Sequence, residues 1–410
     1  MMNSKIKKTW IKLEDLIIYS PFVVVFLVIF NVPDSKYLAS RVMLASSLYL
    51  AVRFYQEWKN DLQKKRTVIN FALFFCCYFF FMQYYNDGNS DFPRAVLYSL
   101  FYFVFFPLSR FKQIFLFYLT LIAVVFIGAS SYFQVFYLGM DRAGLLAINP
   151  IPYSYFSGVC LIIILYFIMI EDNKFSSNAL LGYIGVFLSL SSIVLTQTRA
   201  TLLAVFIVFI VLTFYHLIMK PSRKKVMIAF IGYLTLPLML WSIPIVKQRV
   251  YDVVDQIHNY EYNDYNSSSG IRIKLWQSGL DIASENIFFG TKRSQVQDIS
   301  LAKITNKKYP QYLSEFLIHP NTNFHNQYIQ TLVDSGIFGL IFIFIFIFSP
   351  VLIFLKCNND YFHFLSIAMV FFTGICMWFD SLFLYNHTVI LYSLIILVSF
   401  GIRYNEKKSL

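Results

Sequence analysis

Apolar residues run along this chain in continuous blocks of 15–23, parted mostly by short polar stretches. Such blocks predict helices that cross a bilayer. A span needs roughly 17–25 apolar residues, because lipid offers the backbone no hydrogen-bond partners. The blocks are 15–32, 37–54, 67–85, 94–108, 113–133, 153–170, 178–195, 200–219, 226–246, 327–349, 361–379 and 387–403. The fourth is the shortest and suits an untilted or partly re-entrant segment. Residues 178–219 as one helix would reach about 63 Å, twice the hydrocarbon core, so that run divides at a turn around Arg199. The pattern therefore predicts an all-α polytopic membrane protein of about twelve transmembrane helices. A transmembrane β-barrel is excluded, since its strands would alternate polar and apolar positions.

Composition agrees: 58% of residues are hydrophobic and 14% charged, against about 45–50% and about 25% in soluble domains. A soluble enzyme with an anchor, a disordered chain and a disulfide scaffold are excluded. The start, rich in lysine and followed by an apolar block without a small-residue cleavage site, reads as a retained first span. Lys and Arg set the direction. With the N-terminus inside, twenty flank the inner ends of the spans and five lie in the short outer segments. Both termini are then cytoplasmic. The net charge of +12 is mostly this asymmetry and implies no nucleic-acid partner. Cys76, Cys77, Cys160 and Cys376 lie in apolar blocks and Cys357 at a block end, so the long outer loop contains no disulfide.

That loop, 247–326, carries nine Lys and Arg, eight Asp and Glu and three His. A connection this long is usually functional or structured. Its middle, 263–270, reads as flexible. The spacing of Ile271, Leu275 and Ile282, with Trp276, Leu280, Ala283 and Ile287, predicts a helix over 271–289 lying along the membrane surface.

Three places could carry chemistry. Arg199, at an outer turn, is either an interfacial arginine snorkelling to lipid phosphates or an anion-binding residue beside the free amides of the next helix. Arg272 by itself reads as an exposed charge on an amphipathic helix. His325 lies at the outer face just before a span, where an imidazole could take a proton from a lipid-borne substrate. The alternative is a helix-start histidine above Gly336 and Gly339, glycines that permit close helix packing. No D-x-D is present, which weakens a metal-dependent glycosyltransferase, and no phosphate-binding G-x-x-x-x-G-K-[ST] suggests a nucleotide. His319 and His325, six apart around Pro320, lack metal-ligand spacing, so no metal site is expected.

Together these places resemble the O-antigen ligase/polymerase superfamily of bacterial envelope membrane proteins, over about 180–348. His325-Asn326, nine residues, then Gly336-x-x-Gly339 is similar to the H-[NSQ]-x9-G-x-x-G pattern of the ligases. Thr198-Arg199-Ala200 and Arg272-x3-Trp276 match its two recurrent arginines. The family's Pro and Phe-Gly-x-Gly after the second arginine are replaced by Asn286 and a lone Gly290. The R-x10-G pattern of the polymerases is absent at Arg142, Arg199, Arg249, Arg272 and Arg293, which favours the ligase. The resemblance implies a division into spans 1–6 (1–177), a ligase-type core with the periplasmic loop (178–349) and spans 11–12 (350–410). It implies transfer of O-antigen polysaccharide from undecaprenyl diphosphate to lipid A-core, on the periplasmic side of the inner membrane. Neither ATP, metal nor any other cofactor is needed. Arg199 and Arg272 would hold the diphosphate, Arg142 would be a third phosphate contact, and His325 would be the general base. The partners implied are carrier-linked saccharide, lipid A-core and membrane lipids. The rival readings are an O-antigen polymerase and a non-enzymatic transporter of lipid-linked saccharide.

Overall fold

The computed structural model describes residues 13–88, 90–171, 173–219, 241–242, 244–261, 265, 267–319, 322–354 and 360–409. Every regular element among them is helical. The apolar blocks before the loop become α1 (Leu13–Leu27), α2 (Lys36–Arg53), α3 (Tyr55–Asn86), α4 (Asp91–Phe105), α5 (Gln113–Tyr132), α6 (Pro150–Ile170), α7 (Ser177–Leu195) and α8 (Arg199–Met219). The loop holds α9 (Pro244–Glu261), α10 (Ser268–Ala283), α11 (Arg293–Thr305) and a single turn, Ser314–Leu317. It is followed by α12 (Gln327–Phe354), α13 (Asp360–Phe379) and α14 (Asn386–Ser409). The ninth block, 226–246, lies almost wholly outside the described residues. Seven helices among the described residues are long and apolar enough to cross a membrane: α3, α5 with its extension to Tyr137, α6, α7, α12, α13 and α14. The chain is thus an all-helical polytopic membrane protein. α1 and α4, 15 residues each, reach only about 22 Å.

The axis of the bundle is α6, buried throughout 152–164 and packed by α5, α7, α8 and α13. Its start is written in the sequence: Asn149 Oδ1 accepts from Ile151 N at 3.0 Å, and Pro150 fills the first helical position, where no amide hydrogen is needed. The basic stretch 53–66, read from sequence as an inner loop, instead forms the first turns of α3. The reason is a set of polar contacts with the end of α4. Lys65 Nζ, fully buried, donates to the carbonyls of Phe103 (2.8 Å), Val104 (3.1 Å) and Phe106 (2.6 Å), and Asp61 Oδ2 accepts from Leu108 N at 2.9 Å. A cation on the last carbonyls of a helix satisfies groups that have no intrahelical partner.

The outer loop has its own small core, in which Leu275, Ile282, Val296, Ile304, Leu313 and Leu317 pack with Phe324, Ile329 and Val333. Leu275, Ile282 and Ala283 on α10 are therefore covered by protein, while Leu280 and, beyond the helix, Ile287 remain exposed. The start of α10 lies within the stretch expected to be flexible: Ser267 Oγ accepts from Gly270 N at 3.1 Å, an N-cap that begins the helix at Ser268. It ends at Ala283, short of 289, because the chain beyond runs beside a break in α12. At Gly336 (φ 64°, ψ −168°) α12 leaves helical geometry. Thr291 N donates to Val333 O at 2.7 Å and Ile337 N to Ile287 O at 2.8 Å. Gly290, also at positive φ (75°), lies so close that a Cβ there would sit 2.5 Å from Val333 O, while one on Gly336 would sit 2.1 Å from Phe288 O. Asn86 Nδ2 completes the lock from α3, donating to Phe289 O (2.6 Å) and Asp334 O (3.0 Å), and Tyr78 OH donates to Ser335 O at 2.5 Å. Gly336 thus serves a backbone crossing and not the helix packing expected of it.

Alanine at Gly336 should therefore destabilise the protein by about 2 kcal/mol or more, since it combines positive φ with a backbone clash. Thermal unfolding in detergent checks this. A melting temperature within a degree of wild type would mean that the crossing does not hold the loop to α12.

Candidate functional site

His325 is placed by the turn before α12. Its φ is +49°, and its amide donates to Asn323 Oδ1 at 2.8 Å, a local side-chain turn that makes the left-handed backbone tolerable. Asn326 caps the helix: Oδ1 accepts from Tyr328 N (3.0 Å) and Ile329 N (3.1 Å), while Nδ2 donates to Trp378 O (2.9 Å) at the end of α13. The asparagine beside the histidine has this reason, for capping asks for a short side chain with an acceptor oxygen. Gln330 Oε1 accepts from Phe324 N at 3.1 Å, and Gln327 Oε1 from Phe383 N at 2.7 Å. Two neutral amides thereby fasten the histidine turn and the 380–385 turn to one helix start.

The partner of His325 is Asp380. Nδ1 lies 2.8 Å from Asp380 Oδ1; the histidine side chain is 25% exposed and the aspartate 1%. Asp380 Oδ2 is buried without a hydrogen-bond partner among the described residues. The opposing charge comes from α10, where Trp276 Nε1 donates to His325 O at 3.3 Å. One turn earlier on the same face, Arg272 makes neither a hydrogen bond nor a close ion pair with the described residues. Its guanidinium is instead held by longer-range charge: burial depresses its proton affinity, Asp380 and then Tyr385 oppose that, and the group stays cationic. Burial, and then Asp380, push the Tyr385 phenol above its ordinary range, with Arg272 opposing. One arginine, one carboxylate and one imidazole thus share a corner in which the aspartate is buried and the arginine and histidine are part-buried. The expectation of an exposed Arg272, drawn from its helix alone, does not describe this setting.

Arg199 opens α8. Its Nη2 lies 3.5 Å from Asp252 Oδ2 and its Nη1 3.3 Å from Gln256 Oε1, both on α9. Arg142 faces the turn that delivers Arg199, with Nε donating to Thr196 O at 2.9 Å and Nη2 to Thr198 Oγ1 at 3.4 Å. The fold brings the four sequence candidates together as two pairs, Arg272 with His325 and Arg142 with the Arg199 turn. α8 packs on α13, with Thr201 facing Cys376, so the pairs stand at the same end of two neighbouring helices. His319 lies in the turn before, where Thr322 Oγ1 donates to its carbonyl at 3.2 Å. Among the described residues no three of His, Cys, Asp or Glu are grouped to hold a metal ion.

Residues 184–344 match the family described as O-antigen ligase. This stretch of the chain is thus similar to the O-antigen ligase family. It contains Arg199, Arg272 and His325, while Arg142 and Asp380 lie outside the matched residues. The chain is also 21% identical, over 351 residues, to an uncharacterized protein of Haemophilus influenzae (strain ATCC 51907 / DSM 11121 / KW20 / Rd), covering 82% of this chain and 84% of that one. Asp380 is the neighbour of His325 that reading the sequence missed. The signal was present: it is the single Asp or Glu in 361–405, at the outer end of a span.

With a carboxylate as its partner, Nδ1 must carry the proton of the neutral ring, leaving Nε2 as the acceptor. Nitrogen-15 spectra of histidine-labelled protein at alkaline pH should show the Nδ1–H form for His325 and its loss in Asp380→Asn. An Nε2–H form in the wild type would reverse the assignment.

Proposed function

We propose that the protein is an O-antigen ligase of the bacterial inner membrane. It would move O-antigen polysaccharide from undecaprenyl diphosphate to lipid A-core on the periplasmic side. The seven long apolar helices support a membrane setting, and the proposal includes twelve spans, cytoplasmic termini and the 247–326 loop outside. It also divides the chain into helices 1–177, a ligase core 178–349 and helices 350–410. The observation that carries the proposal is the 2.8 Å His325–Asp380 contact beside Arg272.

In this reaction Nε2 of His325 takes the proton of an acceptor sugar hydroxyl. The freed oxygen attacks the anomeric carbon of the donor, and the bond from that carbon to the phosphate oxygen breaks. The electron pair leaves with undecaprenyl diphosphate, whose charge Arg272 and Arg199 meet. Guanidinium forks suit phosphate because they offer two parallel, charge-assisted hydrogen bonds. At Arg199 the diphosphate displaces Asp252, whose 3.5 Å contact is long for a charge-assisted bond. Asp380 orients the imidazole and stabilises it once protonated, as a buried carboxylate does for a histidine base. The diphosphate-activated donor supplies the driving force, so the proposal requires neither ATP nor a metal.

His325→Ala should bind carrier-linked donor normally and lose roughly 10²–10⁴-fold in transfer, the usual worth of a general base. Asp380→Asn should lose about tenfold or more, and Arg272→Lys should rescue poorly because lysine lacks the fork. Reconstituted enzyme with purified donor and lipid A-core measures all three. Wild-type transfer by His325→Ala would end the general-base role. A lipopolysaccharide gel from a deletion strain separates the two enzymes of the superfamily. Long carrier-linked chains without attachment mark a ligase, whereas single repeats on lipid A-core mark a polymerase and would overturn this proposal.

A further inference from the structure

The turn that presents Arg199 is unusual in its backbone. Gln197 stands in the left-handed region (φ 53°), a conformation that costs a residue with a Cβ about 1–2 kcal/mol. Such a turn persists only where its surroundings hold it. The segment 138–149 does so at four points. Ala143 N donates to Leu195 O at 3.0 Å, Gln197 Nε2 to Asp141 O at 2.5 Å, Arg142 Nε to Thr196 O at 2.9 Å and Arg142 Nη2 to Thr198 Oγ1 at 3.4 Å. The segment is itself anchored. Gln134, 1% exposed, accepts from Gly144 N at 2.8 Å, and Gly144 (φ 95°) packs so closely that a Cβ there would sit 3.0 Å from Pro150 Cα.

We infer that Arg142 is a positioning residue for Arg199, acting through the 195–198 backbone, and is not itself a ligand of phosphate. Nε and Nη2 are both turned onto the turn. Thr196 O is among the last carbonyls of α7, where a cation is favoured and no intrahelical amide arrives. Removing Arg142 leaves that carbonyl and the Gln197 conformation with less support, so the first residue of α8 loses its direction. The inference rests on reading Arg199 as a contact of the donor diphosphate.

The test is a double-mutant cycle on transfer, together with amide hydrogen exchange on the ligand-free protein. Arg142→Ala should lower transfer about tenfold or more, the scale of a charged hydrogen bond to backbone. It should add nothing further in an Arg199→Ala background, because the two act on one contact. Arg142→Gln keeps one donor for Thr196 O and should recover part of the activity. A phosphate ligand would behave oppositely, with Arg142→Lys active and Arg142→Gln as poor as alanine. Exchange across 195–200 should quicken in Arg142→Ala at unchanged melting temperature. Independent, additive losses, or unchanged exchange in that segment, would overturn the inference. If Arg199→Ala is itself fully active, the diphosphate reading of Arg199 fails, while the exchange result still reports whether Arg142 holds the turn.

Discussion

A helix broken within its own length strands amides and carbonyls on both sides of the break, and in a membrane protein each stranded group is costly. The break at Gly336 is resolved by the stretch 287–291, which supplies Ile287 O and Thr291 N across it. This crossing fixes more than its own backbone. Upstream of 287 stands α10, with Arg272 and Trp276; upstream of Gly336 stand nine residues of α12 and then the His325 turn. Both arms are short and helical, so joining them at the break sets the distance between the arginine and the histidine. The two glycines are tied to each other: each has positive φ, and each leaves room for the other strand's carbonyl.

The polar support around the site is built largely from neutral amides. Asn86 holds the crossing, Asn326 caps α12 and tethers α13, and Gln327 and Gln330 hold the flanking backbone. Amides can donate and accept at once without adding charge. The electrostatics of the corner are therefore left to Arg272, Asp380 and His325, whose interactions strengthen as water is excluded.

The helical blocks were legible because lipid imposes a length and a composition that few other structures share. The fate of 53–66 was not, since Lys65 and Asp61 look like solvated charges until the end of α4 is known to lie beside them. Ser267 as a cap was readable from the run of serines before an apolar-periodic stretch, yet polar composition pointed to flexibility. Gly336 and Gly339 stood out by motif, but a glycine pair at this spacing suits both a packed helix and a broken one, and only the position of Gly290 decides between them. Asp380 belongs to a different span from His325, and a contact 55 residues apart leaves no mark in local spacing.

The two arginines proposed to meet the diphosphate face carboxylates of different kinds. Asp252 lies on α9, partly exposed and 3.5 Å from Arg199, and in the proposal an incoming phosphate takes its place. Asp380 is buried and fastened to His325, so it cannot leave Arg272 to the donor. That constraint couples the two halves of the proposed transfer. Before the hydroxyl gives up its proton, the Asp380 charge offsets Arg272 and keeps the corner close to neutral. Once the proton reaches His325, the imidazolium neutralises Asp380, and the full field of Arg272 becomes available. The leaving diphosphate gains its negative charge in the same step. Proton uptake by the histidine thus releases the electrostatic stabilisation that the departing group needs, without movement of either arginine.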